Sequence, residues 1–201
     1  MSSVDDSNAG SSPLRDRWDA RYREVHRFPS AAAVLADNLH LLPSTGDALD
    51  LACGLGSNAL MMARQGLHVW AWDLSPVAIA YVNDTAREAC VSLTAQVRDV
   101  EALPPEPNRF DAIVVTHFLD RRLASAIAAA LRPGGLLFYQ TFTREAVSGD
   151  GPSDPAYRLD TNELLQLFPG LILRVYREEG RVGDCRRGTR DLAQMVAQRR
   201  G

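Results

Sequence analysis

The sequence predicts an α/β fold: a single doubly wound, Rossmann-like domain with a seven-stranded, mostly parallel sheet that ends in an antiparallel hairpin. Short apolar segments alternate along the chain with helical segments of about 10–13 residues, as in βαβ units. The strand segments are almost continuously apolar, which is typical of a sheet covered on both faces. The length of 201 residues suffices for one domain with a sizeable core.

The predicted elements follow in a regular order. Strands are predicted over residues 48–52, 68–72, 92–97, 110–116 and 136–142, and the hairpin over 171–176 and 191–197. Helices are predicted over residues 30–42, 57–65, 76–89, 119–131 and 161–168. Ser30 and Ser75 are expected N-caps, and Gly66 is an expected helix terminator. Residues 1–13 are rich in Ser, Asp, Asn and Gly, so we expect a disordered tail before a domain covering residues 14–201.

Composition restricts the function. The net charge is -3, which argues against broad electrostatic binding of nucleic acid or of an anionic membrane. We see no signal peptide and no apolar run near the ~20 residues that span a bilayer, so a cytoplasmic protein is expected. The three cysteines and four histidines show no metal-ligand spacing, so no metal is predicted. All 22 basic residues are Arg, which excludes a catalytic lysine and a P-loop.

Polar side chains and glycines follow three of the predicted strands, where ligands bind in such sheets. Gly54 and Gly56 follow the first strand and allow the backbone to approach a ligand that lies at the next helix N-terminus. Asp73 follows the second strand and can accept hydrogen bonds from both ribose hydroxyls. Asp99 follows the third and can accept from an adenine amino group. These residues predict an adenosine-containing cofactor with an anionic end at the glycine turn.

The same glycine turn also fits a dinucleotide site, because Gly54, Gly56 and Ala59 satisfy the G-x-G-x-x-G/A pattern. Two observations disfavour an NAD site. Asp50 lies inside the first strand, where dinucleotide folds keep apolar residues. The residues after Asp73 continue the same sheet instead of forming a separate substrate domain.

The motifs resemble those of the class I S-adenosylmethionine (SAM)-dependent methyltransferases. Residues 48–56, Ala-Leu-Asp-Leu-Ala-Cys-Gly-Leu-Gly, resemble motif I of that superfamily, with Ala52 in place of its first glycine. Residues 110–115 and 131–136, the latter with Arg-Pro-Gly-Gly, resemble its later motifs. Within the superfamily, residues 18–22 (Trp-Asp-Ala-Arg-Tyr), 72–76 (Trp-Asp-Leu-Ser-Pro), and Thr141-Phe142 followed by 151–153 (Gly-Pro-Ser) resemble the tellurite-resistance methyltransferases, relatives of the thiopurine methyltransferases.

The resemblance implies SAM as cofactor, S-adenosylhomocysteine as product, and a set of binding residues. Asp50 would orient the glycine turn and the methionine end, Asp73 would hold the ribose, and Leu74 would line the adenine. The full set implied to bind the cofactor is Arg21, Asp50, Ala52, Cys53, Gly54, Gly56, Asp73, Leu74, Asp99, Val100 and His117.

Each role has a structural alternative. Asp73 and Asp99 could serve a helix dipole or a solvated turn, and Arg21 could be an ordinary surface arginine. His117 could be a hydrogen-bonded strand end instead of a cofactor contact or general base. Cys53 is predicted to be a packing residue and not a nucleophile. The loop over residues 143–159 is long enough to act as a lid or substrate loop, and Arg144 and Arg158 in it could bind an anion.

The predicted reaction is methyl transfer to a small-molecule acceptor by direct in-line displacement. A soft thiolate or chalcogen anion needs no general base, whereas a protonated oxygen or nitrogen could use His117 as the catalytic base. Residues 116–119, Thr-His-Phe-Leu, lack the [DNS]-P-P-[YF] motif of methyltransferases that act on adenine or amide nitrogen. The alternatives are a SAM-binding sensor or partner without catalysis and, less favoured, an NAD-dependent oxidoreductase. Either a monomer or a homodimer is compatible with the sequence.

Overall fold

The computed structural model describes residues 13–25 and 28–201. Seven strands are β1 Asp47–Leu51, β2 His68–Asp73, β3 Leu93–Val97, β4 Phe110–Thr116, β5 Leu131–Phe142, β6 Ile172–Glu178 and β7 Leu192–Gln198. The α-helices of the described residues are α1 Pro13–Arg23, α2 Ala33–Ala36, α3 Ser57–Arg64, α4 Pro76–Ala89, α5 Ala124–Ala130 and α6 Glu163–Leu167. Three short 3-10 turns lie at Leu39–Leu41, Arg121–Leu123 and Pro155–Tyr157.

The strands form one sheet in the order β3-β2-β1-β4-β5-β7-β6. Strands β1 to β5 pair in parallel, and β7 pairs antiparallel with both β5 and β6. The seven strands, the mainly parallel pairing and the antiparallel C-terminal pair are therefore as predicted. The strand order reverses between β1 and β4, which opens the crevice where such sheets bind ligands.

Helices cover both faces of the sheet. Leu35, Met62 and Val82 of α2, α3 and α4 pack on one face in a buried cluster with strand residues such as Val114. On the opposite face, Ile127 of α5 and Leu164 of α6 pack over residues including Leu49 and Leu137. Because successive side chains of a strand point to opposite faces, two apolar layers require the almost continuously apolar strands that the sequence shows.

The boundary between α5 and β5 differs from the prediction. The helix expected over residues 119–131 is a 3-10 turn followed by the seven residues of α5, and β5 begins at Leu131 instead of residue 136. Leu131 already pairs with Phe110, and the register of β4 and β5 shifts before Ala112. Arg132 in this irregular stretch binds Asp47 and Asp111, so ion pairs at the amino ends of the strands hold it.

The helix predicted over residues 30–42 is also shorter. Only Ala33–Ala36 is α-helical, and the expected cap Ser30 is not at its N-terminus. Instead, the N–H of Ala32 donates to Oδ1 of Asn58 at 2.9 Å, and the N–H of Val34 donates to Oε1 of Gln140 at 3.1 Å. Long-range side chains thus satisfy the first helical donors, a task that the prediction gave to a local serine.

The other boundaries agree within a few residues. Ser75 is the N-cap of α4, with its hydroxyl oxygen accepting from the N–H of Ala78 at 3.1 Å, as predicted. The helix expected over residues 161–168 covers Glu163–Leu167. The predicted tail lies outside the described residues except for Pro13, which begins α1. None of the helices described is long and apolar enough to cross a membrane.

Candidate cofactor and acceptor site

The glycine turn lies where β1 ends and α3 begins. Ala52, Gly54 and Gly56 all adopt left-handed φ angles, of 56°, 53° and 78°. A glycine in place of Ala52 would adopt that angle without strain, whereas an alanine there costs about 1 kcal/mol or more. A Cβ on Gly56 would come within 2.8 Å of Val82, so this glycine permits close packing of α4.

Asp50 is fully buried at the base of the turn. Its Oδ2 accepts from the N–H of Ala59 in α3 at 2.9 Å, whereas its Oδ1 is buried without a hydrogen-bond partner among the described residues. The pKa of Asp50 is raised to about 8, mainly by burial and to a smaller extent by the negative charge of Asp73, although the hydrogen bond from Ala59 lowers it. An unpartnered buried carboxylate oxygen at a ligand-binding edge has the chemistry to receive a cationic or hydrogen-bond-donating ligand.

Asp73 ends β2 and ties the turn to α4. Its Oδ2 accepts from the N–H of Gly54 at 2.8 Å, and its Oδ1 accepts from the N–H of Ser75 at 2.9 Å. Burial raises its pKa despite these hydrogen bonds. Each oxygen keeps a further lone pair. The carboxylate is thus fixed in place and can still accept hydrogen bonds from two hydroxyls.

The predicted adenine-side residues fall into two kinds. Asp99 is exposed, and its Oδ1 accepts from the N–H groups of Glu101 at 3.0 Å and Ala102 at 3.3 Å. Asp99 therefore stabilises the turn that follows it, which is the structural alternative to binding adenine. Val100 is buried in the core under the turn, and Leu74 is half-buried beside Asp73.

Helix α1 brings Arg21 and Tyr22 to the same edge. A Cβ on Gly54 would come 3.0 Å from the Tyr22 hydroxyl oxygen, so the Tyr22 ring lies over the glycine turn. Burial, and then the charge of Asp73, raise the Tyr22 pKa, which keeps the phenol protonated. The Arg21 guanidinium lies over the Trp18 ring, 5.4 Å from its centroid, and makes no ion pair within the described part of the chain.

His117 follows β4 and faces the same crevice. Its φ is 55°, its N–H donates to the carbonyl of Gln140 at 2.9 Å, and its ring lies 5.1 Å from the ring of Phe142. The residue is exposed overall, yet partial removal of the ring from water lowers its pKa, and the charge of Arg21 lowers it further. The imidazole is therefore neutral at pH 7 and can accept a proton.

The loop over residues 143–159 is held mainly by Arg158. Its guanidinium donates to the carbonyls of Pro152 at 2.8 Å, Thr143 at 3.0 Å and Asp150. Arg144 forms an ion pair with Asp160 at 2.6 Å. Both arginines are already engaged, so the structure favours loop stabilisation over the anion-binding role considered for them.

Two further expectations concern packing and metal binding. Cys53 is buried, and burial raises the pKa of its thiol well above the usual range, which agrees with a packing role. Within residues 13–25 and 28–201, no three His, Cys, Asp or Glu side chains are grouped so as to hold a metal ion. The expectation of a metal-free site stays a prediction.

Sequence reasoning missed three buried polar residues at this edge. Asn58 donates to the Thr116 hydroxyl at 2.9 Å, and Gln140 also accepts from Gln194 at 2.9 Å, so both connect the strand ends to the segment around α2. Asp19 of α1 accepts a hydrogen bond from the Ser75 hydroxyl. The position of Asp19 between Trp18 and Tyr22 was a signal for this residue, but nothing local identifies its partner.

Residues 48–135 match the family model described as a methyltransferase domain. The chain is 35% identical over 102 residues to a ubiquinone biosynthesis O-methyltransferase of Xanthomonas campestris pv. campestris. That alignment covers 48% of this chain and 43% of the relative, so the chain spans less than half the length of the curated relatives it matches.

Solved structures share the fold over most of the chain. TehB from Haemophilus influenzae superposes with a TM-score of 0.71 at 20% identity, covering 91% of this chain and 67% of the other. A geranyl diphosphate C-methyltransferase from Streptomyces coelicolor A3(2), solved with Mg²⁺, geranyl diphosphate and S-adenosyl-L-homocysteine, gives a TM-score of 0.70 at 14% identity. It covers 96% of this chain and all of its own.

Proposed function

We propose that this chain, which belongs to the class I SAM-dependent methyltransferases, transfers the methyl group of SAM to a small-molecule acceptor. The observation that carries the proposal is the pair of buried acids, Asp50 and Asp73, on either side of the glycine turn. Burial raises the pKa of both carboxyls. Because SAM carries a sulfonium and an ammonium group, its binding would compensate two carboxylates that lack a cationic partner among the described residues.

We assign the binding roles as follows. Asp73 accepts the ribose hydroxyls with the lone pairs left free by Gly54 and Ser75. The unpartnered Oδ1 of Asp50 faces the methionine end, directly or through a water. Arg21 has no ion pair among the described residues, and its guanidinium binds the cofactor carboxylate through two parallel hydrogen bonds. Tyr22 covers the turn and excludes water from the reacting methyl group.

When bound, SAM would supply an activated methyl carbon for in-line attack by the acceptor nucleophile, with S-adenosylhomocysteine as the leaving group. Positioning is then the main task of the chain. A thiolate or chalcogen anion as acceptor would react without a base. A hydroxyl acceptor, the class that the O-methyltransferase relative suggests, would give its proton to the neutral His117 beside Phe142.

Calorimetry with two ligands tests cofactor choice. We expect S-adenosylhomocysteine to bind with a Kd in the micromolar range or below and NAD to give no heat. Tight binding of NAD together with no response to S-adenosylhomocysteine would overturn the proposal in favour of an oxidoreductase.

A methyl-transfer screen tests catalysis and the acceptor class. The protein is incubated with labelled SAM and, in separate reactions, with thiols, selenite, tellurite and small phenols. We expect turnover on at least one class. Binding of S-adenosylhomocysteine without turnover on any of them would favour the non-catalytic sensor. Action without nucleic acid and a cytoplasmic location stay predictions from composition.

A further inference from the structure

Helix α1 is held in an unusual way. Asp19 is the only buried residue among its eleven, with 7% of its surface exposed. Surface helices usually dock through a buried apolar stripe, whereas the apolar row of α1, Leu14, Trp18 and Tyr22, is only half-buried or exposed. Asp19 also has no cationic partner among the described residues, so its burial costs desolvation that no ion pair offsets. Such a residue needs a specific reason to be buried.

The partner of Asp19 belongs to the cofactor-binding edge. The Ser75 hydroxyl accepts from the N–H of Ala78 and donates its own proton to Oδ1 of Asp19. The N–H of Ser75 donates to Asp73, whose other oxygen accepts from Gly54. A continuous chain of hydrogen bonds therefore runs from α1 through the cap of α4 to the glycine turn.

The other end of α1 returns to the same turn. Tyr22 stands three residues after Asp19, hence on the same face of the helix, and lies over Gly54. Trp18 stacks on Tyr22 with ring centroids 5.7 Å apart. The Asp19 contact and the Tyr22 contact thus fix two points of α1 across the turn.

We propose that Asp19 is a positioning residue that, through Ser75, fixes α1 across the glycine turn so that Tyr22 roofs the cofactor pocket. The identity of the ligand in this proposal rests on the proposed function, whereas the docking of α1 does not. Loss of the Asp19 contact frees α1, exposes the turn to water and lets the cofactor leave faster. The amide of Asn can still accept the proton of Ser75, so Asp19→Asn retains the docking.

The first test is hydrogen exchange of the ligand-free protein. Asp19→Ala should raise exchange in residues 13–23 about tenfold while leaving β4 and β5 protected. Asp16→Ala, which changes an exposed acid on the same helix, should leave exchange unchanged. Unchanged exchange in Asp19→Ala would overturn the docking role, and this result does not depend on whether the protein binds SAM.

The second test is the dissociation constant and release rate of S-adenosylhomocysteine. We expect both to rise about tenfold in Asp19→Ala and to return to within about twofold of wild type in Asp19→Asn. Tyr22→Ala should add little in the Asp19→Ala background, because the roof is already displaced; additive effects would contradict action through α1. If the wild-type protein does not bind S-adenosylhomocysteine, the proposed function is refuted. The docking role of Asp19 is then decided by the hydrogen-exchange result alone.

Discussion

Two ends of the molecule treat buried charge in opposite ways. At the proposed cofactor end, residues 50–59 and 73–75, burial raises the pKa of Asp50 and Asp73. At the loop end, residues 143–159 and 179–191, Asp191 is also buried by accessible surface, yet its pKa is lowered. Burial alone would raise it, but hydrogen bonds from Ser148 and Val147 outweigh burial.

Arginine explains much of the difference. Arg158 donates to three carbonyls of its own loop, and Arg190 donates to the carbonyls of Arg187, Gly180, Val182 and Asp184 in the second loop. The loop end therefore satisfies its polar groups internally. At the cofactor end, no arginine of the described residues pairs with Asp50 or Asp73, and one oxygen of Asp50 stays unpartnered. A buried oxygen without a hydrogen-bond partner requires an explanation, and a ligand at this edge is the one that we propose.

The largest effect expected is on stability at the cofactor end. The Asp50 carboxyl ionises near 3.8 in the unfolded chain and near 8 in the folded one, so between these values the folded protein keeps a proton that the unfolded chain loses. The free energy of unfolding should fall by about 1.4 kcal/mol per pH unit as pH rises through this window, and level off above about 8. Asp50→Asn should remove this fall, as measured by urea unfolding of the ligand-free protein.

The matched control for this prediction is Asp84→Asn, which changes an exposed acid of α4 and should follow the wild-type pH dependence. Parallel curves for wild type and Asp50→Asn would mean that Asp50 is ionised throughout, and that the contrast between the two ends is not electrostatic.

The next effect is on cofactor affinity. Asp73→Ala removes a charged acceptor, a loss of about 1.5–3 kcal/mol, so the Kd of S-adenosylhomocysteine should rise at least about tenfold in calorimetry. Asp84→Ala should bind as wild type. An unchanged Kd for Asp73→Ala would remove Asp73 from the ribose site and leave it only its structural bonds to Gly54 and Ser75.

A smaller effect is expected at the loop end. Arg158→Ala leaves loop carbonyls unsatisfied and should lower the free energy of unfolding by about 1–2 kcal/mol without changing the Kd of S-adenosylhomocysteine. Arg144→Ala breaks an exposed ion pair and should cost less than about 1 kcal/mol. If Arg158→Ala weakens cofactor binding as strongly as Asp73→Ala, the two ends do not act independently.

The smallest effect concerns His117. Because its pKa is lowered from 6.5, the imidazole is neutral above that value, and methylation of a hydroxyl acceptor should change less than about twofold between pH 7 and 8. The rate should fall only at pH values below 6.5. If the rate decreases as the pH is lowered and the midpoint of this decrease lies above pH 7, His117 is not a neutral base at pH 7.

Local patterns predicted most strands within about two residues, the cap at Ser75 and the glycine turn. Strand periodicity and turn sterics depend on neighbours in the chain, so they can be read without the fold. The predicted boundary of α5 and β5 was wrong: Leu131 already pairs with Phe110 and Arg132 forms ion pairs with Asp47 and Asp111, and these partners lie on other strands. The N-cap at Ser30 was wrong for the same reason, since Asn58 and Gln140 satisfy those donors.

For the site, the sequence alone determined which residue types follow each strand and therefore that buried acids meet a glycine turn at one edge of the sheet. Only the tertiary structure decided that Gly56 lies against Val82, that Arg158 donates its hydrogen bonds within its own loop, and that Asp19 binds Ser75. Asp19 and Ser75 are 56 residues apart and Val34 and Gln140 are 106 apart. Such pairs form only after the sheet has brought their strands together, so no local propensity encodes them.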